Sequence, residues 1–248
     1  MTTRRSEEVE LEMYDTRSRR VVSVSGVQSI SPSLIRITLS GQAIQNLPHF
    51  GPTGWAKIFL SPTEGDESPG RAYTLRNFNR ERGEVDIDVV LHEAGPLTSW
   101  SRTAIVGEQV SLAGPRGGFE FNTAAKWMVL AGDLSALPAI ASIVEASPPH
   151  VHLEVALAID QAEDLALLPR RAMNGCRWTT EGDTALLALV EATNLPTGFG
   201  EVWAAGEAAF VRDVRHHFIS ERCFDKRNVH CAGYWKRDAP DHRDTVVG

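Results

Sequence analysis

A change of texture near Asn122 constrains this chain more than any other feature. Before it, from Arg19 on, come VVSVSGVQSI, LIRITLSG, WAKIFLSP, RAYTLRNF, GEVDIDVVLH and EQVSLAGPRGGF, β-rich runs broken by Gly, Pro and Ser. Six such runs, with a turn at Glu81-Arg82-Gly83-Glu84 and only short helical stretches between them, predict a small antiparallel six-stranded β-barrel. After it, the apolar strand KWMVLAGD leads into LSALPAIASIVEAS, a helix with Pro138 in its first turn. The strand VHLEVALAID, the helix QAEDLALLPR and the segment CRWTTEG follow. The helix DTALLALVEAT, the strand GEVWAAGE, the helix AAFVRDVRHHFISER and the segment NVHCAGYW complete the series. Apolar strands alternating with helices predict a parallel sheet covered on both faces. The expected fold is β + α/β: an arm over 1–16, mobile or a surface helix, a barrel over 17–122, and an α/β domain over 123–248.

The composition narrows the function class. A formal net charge of −7 is the wrong sign for a chain that coats nucleic acid. Cys176, Cys223 and Cys231 form no CxxC pair, and their odd number argues against a disulfide framework. Reduced thiols and a cytoplasmic location are the expectation. No apolar run is long enough to span a membrane, and MTTRRSEEVELEMYD has no apolar core of a signal peptide. His216 and His217 are adjacent and so face different ways on a helix. His92, His150, His152 and His230 show no ligand spacing with the cysteines, so no metal site is expected.

Two stretches carry chemistry. Arg71-Ala72-Tyr73-Thr74-Leu75-Arg76 sets a cation, an aromatic ring and a hydroxyl on one strand. Alternation places Arg71 and Tyr73 on one face and Thr74 on the other. A flavin needs an aromatic packing surface, a hydrogen-bond partner at the reactive edge of its ring and a cation for its phosphates. Tyr73, Thr74 and Arg71 are of the right types, although a surface strand with two arginines would read the same. The second stretch, DIDVVLHEAGPLTSW, runs a strand into a turn at Gly95-Pro96, with Thr98 and Ser99 where a helix begins. A helix start favours a phosphate through its free N–H groups and its dipole. An ordinary Ser/Thr cap has the same local sequence, and His92 and Trp100 taken singly read as structural.

RAYTLR, DVVLHEAGPLTSW, GPRGGF, LAGDLSALPAI, VWAAGE and GYWK occur in this order between about Arg19 and Lys236. Together they resemble the siderophore-interacting protein family, flavin-dependent ferric-siderophore reductases of the ferredoxin-reductase superfamily. The resemblance implies a barrel that binds FAD and an α/β domain that takes NADH or NADPH as electron donor and ends in a substrate-pocket segment. It implies that Arg71, Tyr73 and Thr74 hold the flavin, with Tyr73 and Thr74 tuning it, and that Asp88, Val90, Leu91 and His92 line its other side. Gly95, Pro96, Leu97, Thr98, Ser99 and Trp100 would form the phosphate turn and its helix. Leu97 stands where the family has a small residue and is expected to crowd the pyrophosphate. Gly132, Asp133, Ser135 and Ala136 correspond to a nucleotide loop in which Leu134 replaces a Glu. Gly206 and Glu207 mark the loop expected at the nicotinamide end. Lys57, Arg222 and Lys236 would frame a pocket for an anionic ferric siderophore.

The implied activity is an NAD(P)H:ferric-siderophore oxidoreductase. The flavin carries the redox chemistry, so no side chain is expected to act as a proton-transfer catalyst. The alternative is a flavin-carrying siderophore-binding or electron-transfer protein fed by a ferredoxin. Arg170, Arg171 and Arg177 are candidates for reading a 2′-phosphate on the donor, and equally ordinary solvated arginines.

Overall fold

The computed structural model describes residues 14–61, 70–91, 95–237 and 239. They form two compact units that divide between Phe119 and Glu120. Most of the expected N-terminal arm falls outside the described residues. Tyr14 packs against the barrel core with the Arg20 guanidinium 4.0 Å above its ring.

The first unit is a closed barrel of β1 (Arg20–Ser31), β2 (Leu34–Ser40), β3 (Trp55–Phe59), β4 (Arg71–Asn79), β5 (Glu84–Val90) and β6 (Gln109–Arg116). Every paired neighbour is antiparallel, in the order β1-β2-β5-β4-β3-β6, and β6 returns to β1. Two short helices decorate it, α1 (Gln42–Gln45) and α2 (Pro96–Ser101). The strands alternate as a one-sided surface must. Val85, Ile87 and Val89 of β5 point inward with Ile37 and Leu39 of β2, Ile58 of β3 and Leu112 of β6. Each such buried side chain contributes roughly 1.5–3 kcal/mol.

The opposite face of β2, β4 and β5 carries charge. In the β2–β5 register Arg36 stands opposite Asp88 and Thr38 opposite Asp86. Arg36 grips Asp88 with two nitrogens, at 2.7 and 2.9 Å, and Arg76 of β4 lies 3.6 Å from the same carboxylate. Asp86 accepts from Thr38 at 2.6 Å and from Asn77 at 2.7 Å.

The second unit is a five-stranded parallel sheet in the order β11-β10-β7-β8-β9. Its strands are β7 (Trp127–Asp133), β8 (His152–Ala158), β9 (Cys176–Thr179), β10 (Gly200–Glu207) and β11 (Val229–Trp235). Helices α3 (Leu137–Ala146), α4 (Asp183–Glu191) and α5 (Ala208–His216) connect them. Every residue of β10 is buried, as a central strand covered on both faces requires. Pro138 sits in the first turn of α3, where its missing N–H costs nothing.

Two expected helices take another form. The segment from Gln161 makes a 3₁₀ turn, Ala162–Leu167, closed at its start by a reciprocal Gln161–Asp164 capping box. Pro169 lies too close downstream for a longer helix to form. The last helix passes from α5 into a π turn, His217–Glu221, in which the adjacent rings of His217 and Phe218 are both buried.

Candidate functional site

In the barrel, the β3–β4 register pairs Trp55 with Thr74, Ala56 with Tyr73, Lys57 with Ala72 and Ile58 with Arg71. Ala56 and Ile58 are core residues, so Lys57 lies on the outer face, the side that also carries Thr74. Arg71 and Tyr73 take the other side, and the Tyr73 ring packs against the core. Burial pushes the Tyr73 phenol well above its usual range, against the pull of Arg71, so it stays a neutral ring with an O–H. The structure therefore brings Thr74 and Lys57 onto one surface and keeps Tyr73 on the reverse.

Asp88 is held by Arg36 and Arg76 on the outer face, so its carboxylate is spent on guanidinium groups. Val90 ends β5, and the N–H of Leu91, which follows it, donates to the Ser33 carbonyl at 2.9 Å. His92 lies outside the described residues. Gly95 precedes α2, Pro96 opens it, and Ser99 is exposed. The crowding expected from Leu97 does not arise, because its side chain points into the barrel core with Trp100. Thr98 is buried beside them, and its carbonyl accepts from the Ser101 hydroxyl at 2.9 Å. The Trp100 indole N–H is buried and finds no acceptor among the described residues. It is the buried donor left over on the helix that follows the Gly95-Pro96 turn, the place where the resemblance puts the FAD phosphates.

In the sheet, chain order reverses direction between β7 and β10. Ligands of open α/β sheets bind outside the carboxyl ends of the strands at such a point. Those ends are Gly132-Asp133 and Gly206-Glu207, so two loops far apart in sequence stand side by side. A Cβ on Gly132 would lie 2.5 Å from the Ala136 Cβ and 2.6 Å from the Ala205 carbonyl oxygen, so only glycine allows this approach. Gly206 has φ +137°, and a Cβ there would sit 2.5 Å from Asp133 Oδ2.

The Asp133 carboxylate accepts four hydrogen bonds. Oδ1 takes the Ser135 N–H at 2.8 Å and its hydroxyl at 2.5 Å; Oδ2 takes the Glu207 N–H at 3.0 Å and the Trp235 indole N–H at 2.7 Å. Burial holds this carboxyl above its ordinary value, while the Ser135, Trp235 and Glu207 donors pull it down. The loop before α3, which the resemblance assigns to a nucleotide, satisfies its own amide donors at Ser135, Ala136 and Leu137. Ser135 N–H is bound by Asp133, Ala136 N–H by the Asp133 carbonyl and Leu137 N–H by the Leu134 carbonyl, while Pro138 has none. Glu207 caps α5, its carboxylate accepting from Ala209 at 2.5 Å and Phe210 at 3.2 Å.

Lys236 follows β11 on this same carboxyl edge and is exposed. Arg222 does not join it. Helix α5 runs back from the carboxyl end of β10, so Arg222 lies at the opposite edge, a strand length of about 20 Å away. There its guanidinium donates to His217 at 2.9 Å and to the carbonyls of Thr193 at 3.2 Å and Glu191 at 2.7 Å, closing the end of α4. Arg171 is also spent on carbonyls, those of Ser147, Pro148 and Val151. Arg177 donates to the Thr193 hydroxyl at 2.5 Å. Both therefore serve the amino edge, and Arg170 is exposed at the head of the turn that carries Arg171. The three cysteines are free thiols, and burial pushes Cys176 up to about 11 and Cys231 up to about 12, so neither is a nucleophile at neutral pH.

The residue that motif reading passed over is Trp235. Its indole N–H donates to Asp133 at the carboxyl edge, and an indole donor at the end of an edge strand was the available sign.

Residues 61–119 match the siderophore-interacting FAD-binding domain and residues 125–238 the siderophore-interacting protein domain. The ferric vibriobactin reductase ViuB of Vibrio cholerae is 30% identical over 232 residues, covering 84% of this chain and 86% of that protein. The NADPH-dependent ferric-chelate reductase of Escherichia coli is 26% identical over 238 residues, covering 87% and 92%. A crystal structure of a siderophore utilization protein from T. fusca superposes with a TM-score of 0.81 at 27% identity, covering 91% and 95%. The barrel with its FAD-binding match, the parallel sheet that follows it in the sequence and these similarities along most of the chain agree, and the chain belongs to the siderophore-interacting protein family.

Proposed function

We propose that this chain is a flavin-dependent ferric-siderophore reductase that draws electrons from NAD(P)H. The net reaction is NAD(P)H + 2 Fe(III)–siderophore → NAD(P)⁺ + H⁺ + 2 Fe(II), with the siderophore released. Bound FAD supplies the conversion of a two-electron donor into one-electron steps. Siderophore oxygens are hard ligands that hold Fe(II) more weakly than Fe(III), so reduction loosens the metal.

The protein's own residues bind and orient. Thr74 offers a hydroxyl on the outer face of the barrel, Tyr73 packs as a neutral ring on the reverse, and the Gly95–Trp100 turn is taken as the phosphate side. Gly132 and Gly206 let Ala136, the Ala205 carbonyl and Asp133 pack closely at the carboxyl edge, where a nicotinamide ring is expected to lie. Lys236, and Lys57 in its own unit, supply positive charge for an anionic ferric complex in a chain that is acidic overall. Arg222 is a structural residue in this reading, and Asp88 stabilises the barrel. Free thiols and a need for reduced nicotinamide support a cytoplasmic setting.

The observation that carries the reading is the FAD-binding match over the barrel, joined in one chain to a parallel sheet whose switch point lies between β7 and β10, with glycines at both strand ends. Anaerobic stopped-flow mixing tests it. The purified protein, loaded with FAD, is expected to bleach with NADH or NADPH and to recover its colour on addition of an Fe(III) catecholate. A protein that binds no FAD sinks the proposal. A second reading is favoured by the internally satisfied amides of the Asp133–Leu137 loop: a chain reduced by a ferredoxin. Bleaching by reduced ferredoxin, with none by either nicotinamide, would select it.

A further inference from the structure

The carboxyl edge of the sheet gathers three acids, Asp133, Glu207 and Asp183, and none of them is idle. Asp133 Oδ2 accepts the Trp235 indole N–H at 2.7 Å. Glu207 Oε1 accepts the backbone N–H of Arg237 at 3.3 Å. The Arg237 guanidinium reaches Asp183 at 3.2 Å. The three acids thus hold residues 235 and 237, and Lys236 lies between them. Packing alone does not explain this arrangement. Trp235 is 38% exposed at the end of an edge strand, where a ring has several open rotamers. The hydrogen bond to Asp133 selects one of them. Gly206 makes room for that bond, since a side chain there would occupy the place of the Asp133 carboxylate.

We propose that Asp133 and Glu207 are positioning residues for the substrate. They clamp Trp235 and Arg237 and so fix Lys236 at the mouth of the crevice, where it meets an anionic ferric chelate. The inference rests on the reading of Lys236 as a substrate cation. It assigns Asp133 to the substrate side rather than to direct contact with the nucleotide. It also ties the two sides together, because the same carboxylate braces the Gly132–Ala136 loop through Ser135 and the start of α5 through the Glu207 amide. Loosening the clamp leaves Lys236 charged but mobile. The expected loss is therefore in binding, not in the electron-transfer steps.

The test uses FAD-loaded full-length protein and the variants Asp133→Asn, Trp235→Phe and Lys236→Ala. Asp133→Asn keeps the volume but cannot accept at all four positions. Trp235→Phe, at an exposed ring, removes only the donor and guards against a variant that fails to fold. The first readout needs no substrate: the Trp235 indole N–H, assigned as the signal missing from Trp235→Phe, exchanges slowly in the parent and rapidly in Asp133→Asn. The second is the Kd of iron(III) tris(2,3-dihydroxybenzoate), an anionic probe, from fluorescence quenching. It should rise about tenfold in Asp133→Asn and in Trp235→Phe, and should rise no further when either is added to Lys236→Ala. Neutral tris(acetylacetonato)iron(III) should bind all variants alike. Steady-state KM for the anionic probe should follow its Kd in Trp235→Phe and in Lys236→Ala. Unchanged indole exchange in Asp133→Asn, or an unchanged Kd in Trp235→Phe, overturns the proposal. A parent that binds the anionic probe but reduces neither chelate would count against the reductase reading alone, since the exchange and Kd arms are independent of turnover.

Discussion

Asp88 shows how one residue can look like a cofactor ligand and be a structural one. Its motif suggests the rim of the flavin, yet its fully buried carboxylate is locked between Arg36 and Arg76, the latter only 2% exposed. Removing one partner of a buried ion pair costs about 3–5 kcal/mol, because the remaining charge is stranded. Asp88→Ala should therefore lower the unfolding free energy measured in urea by an amount of that order, while FAD still binds whatever fraction remains folded. A variant of parental stability that cannot bind FAD would return Asp88 to the cofactor. Asp133 gives a second prediction at this scale. Its folded value is raised above the ordinary 3.8. A raised carboxyl contributes stability that is fully present below the unfolded value and is lost as pH rises through the folded one. The stability advantage of the parent over Asp133→Asn should thus shrink as pH rises from about 4 to 7, measured by urea unfolding. An advantage that grows with pH would mean that the four donors outweigh burial. The sequence made Tyr73 and Thr74 readable through strand alternation. It hid the partners of Asp88 and Asp133, which come from strands distant in the chain.

Elements were more legible than their ends. β-rich runs broken by Gly, Pro and Ser gave all six barrel strands, and apolar runs gave three strands of the sheet, while the less apolar segments CRWTTEG and NVHCAGYW, which fold as β9 and β11, were not assigned. Arg222 was misplaced for a reason that belongs to this scale. A motif reading sees a cation near the C-terminus, but a helix that follows a parallel strand must return to the other edge of the sheet before the next strand begins. The same geometry decides the arginines considered for a 2′-phosphate. Arg171 and Arg177 serve the amino edge, away from the switch-point crevice. Arg171→Ala and Arg177→Ala should therefore leave the ratio of NADPH to NADH kcat/KM within about twofold of the parent. Arg171→Ala should still cost about 1–3 kcal/mol in unfolding experiments, since it leaves three carbonyls without their donor. A selective loss of NADPH activity in either variant would place the adenosine end of the donor at the amino edge.

At the scale of the whole molecule, electrostatics sets the terms for the substrate. The chain carries a formal charge of −7, so an anionic ferric complex approaches against the average field. Binding must then come from local cations, and the carboxyl edge concentrates acids as well: Asp133, Asp183 and Glu207 lie there with Lys236 and Arg237. Because Arg237 is neutralised by Asp183, Lys236 contributes the exposed positive charge of that segment. Lys236→Ala should raise KM for an anionic ferric catecholate about tenfold at low salt and leave a neutral chelate unaffected. The penalty should fall as ionic strength rises, since at 0.15 M the Debye length is only about 8 Å and an exposed charge is largely screened beyond it. Lys236→Arg keeps the charge and should recover most of the affinity, whereas Lys236→Gln keeps much of the reach and should not. Steady-state assays of the three variants across salt concentrations separate charge from contact. A loss equal for both chelates and insensitive to salt would show that Lys236 acts by shape, and the clamp on residues 235–237 would then have to be explained by packing of the segment instead of by the charge it presents.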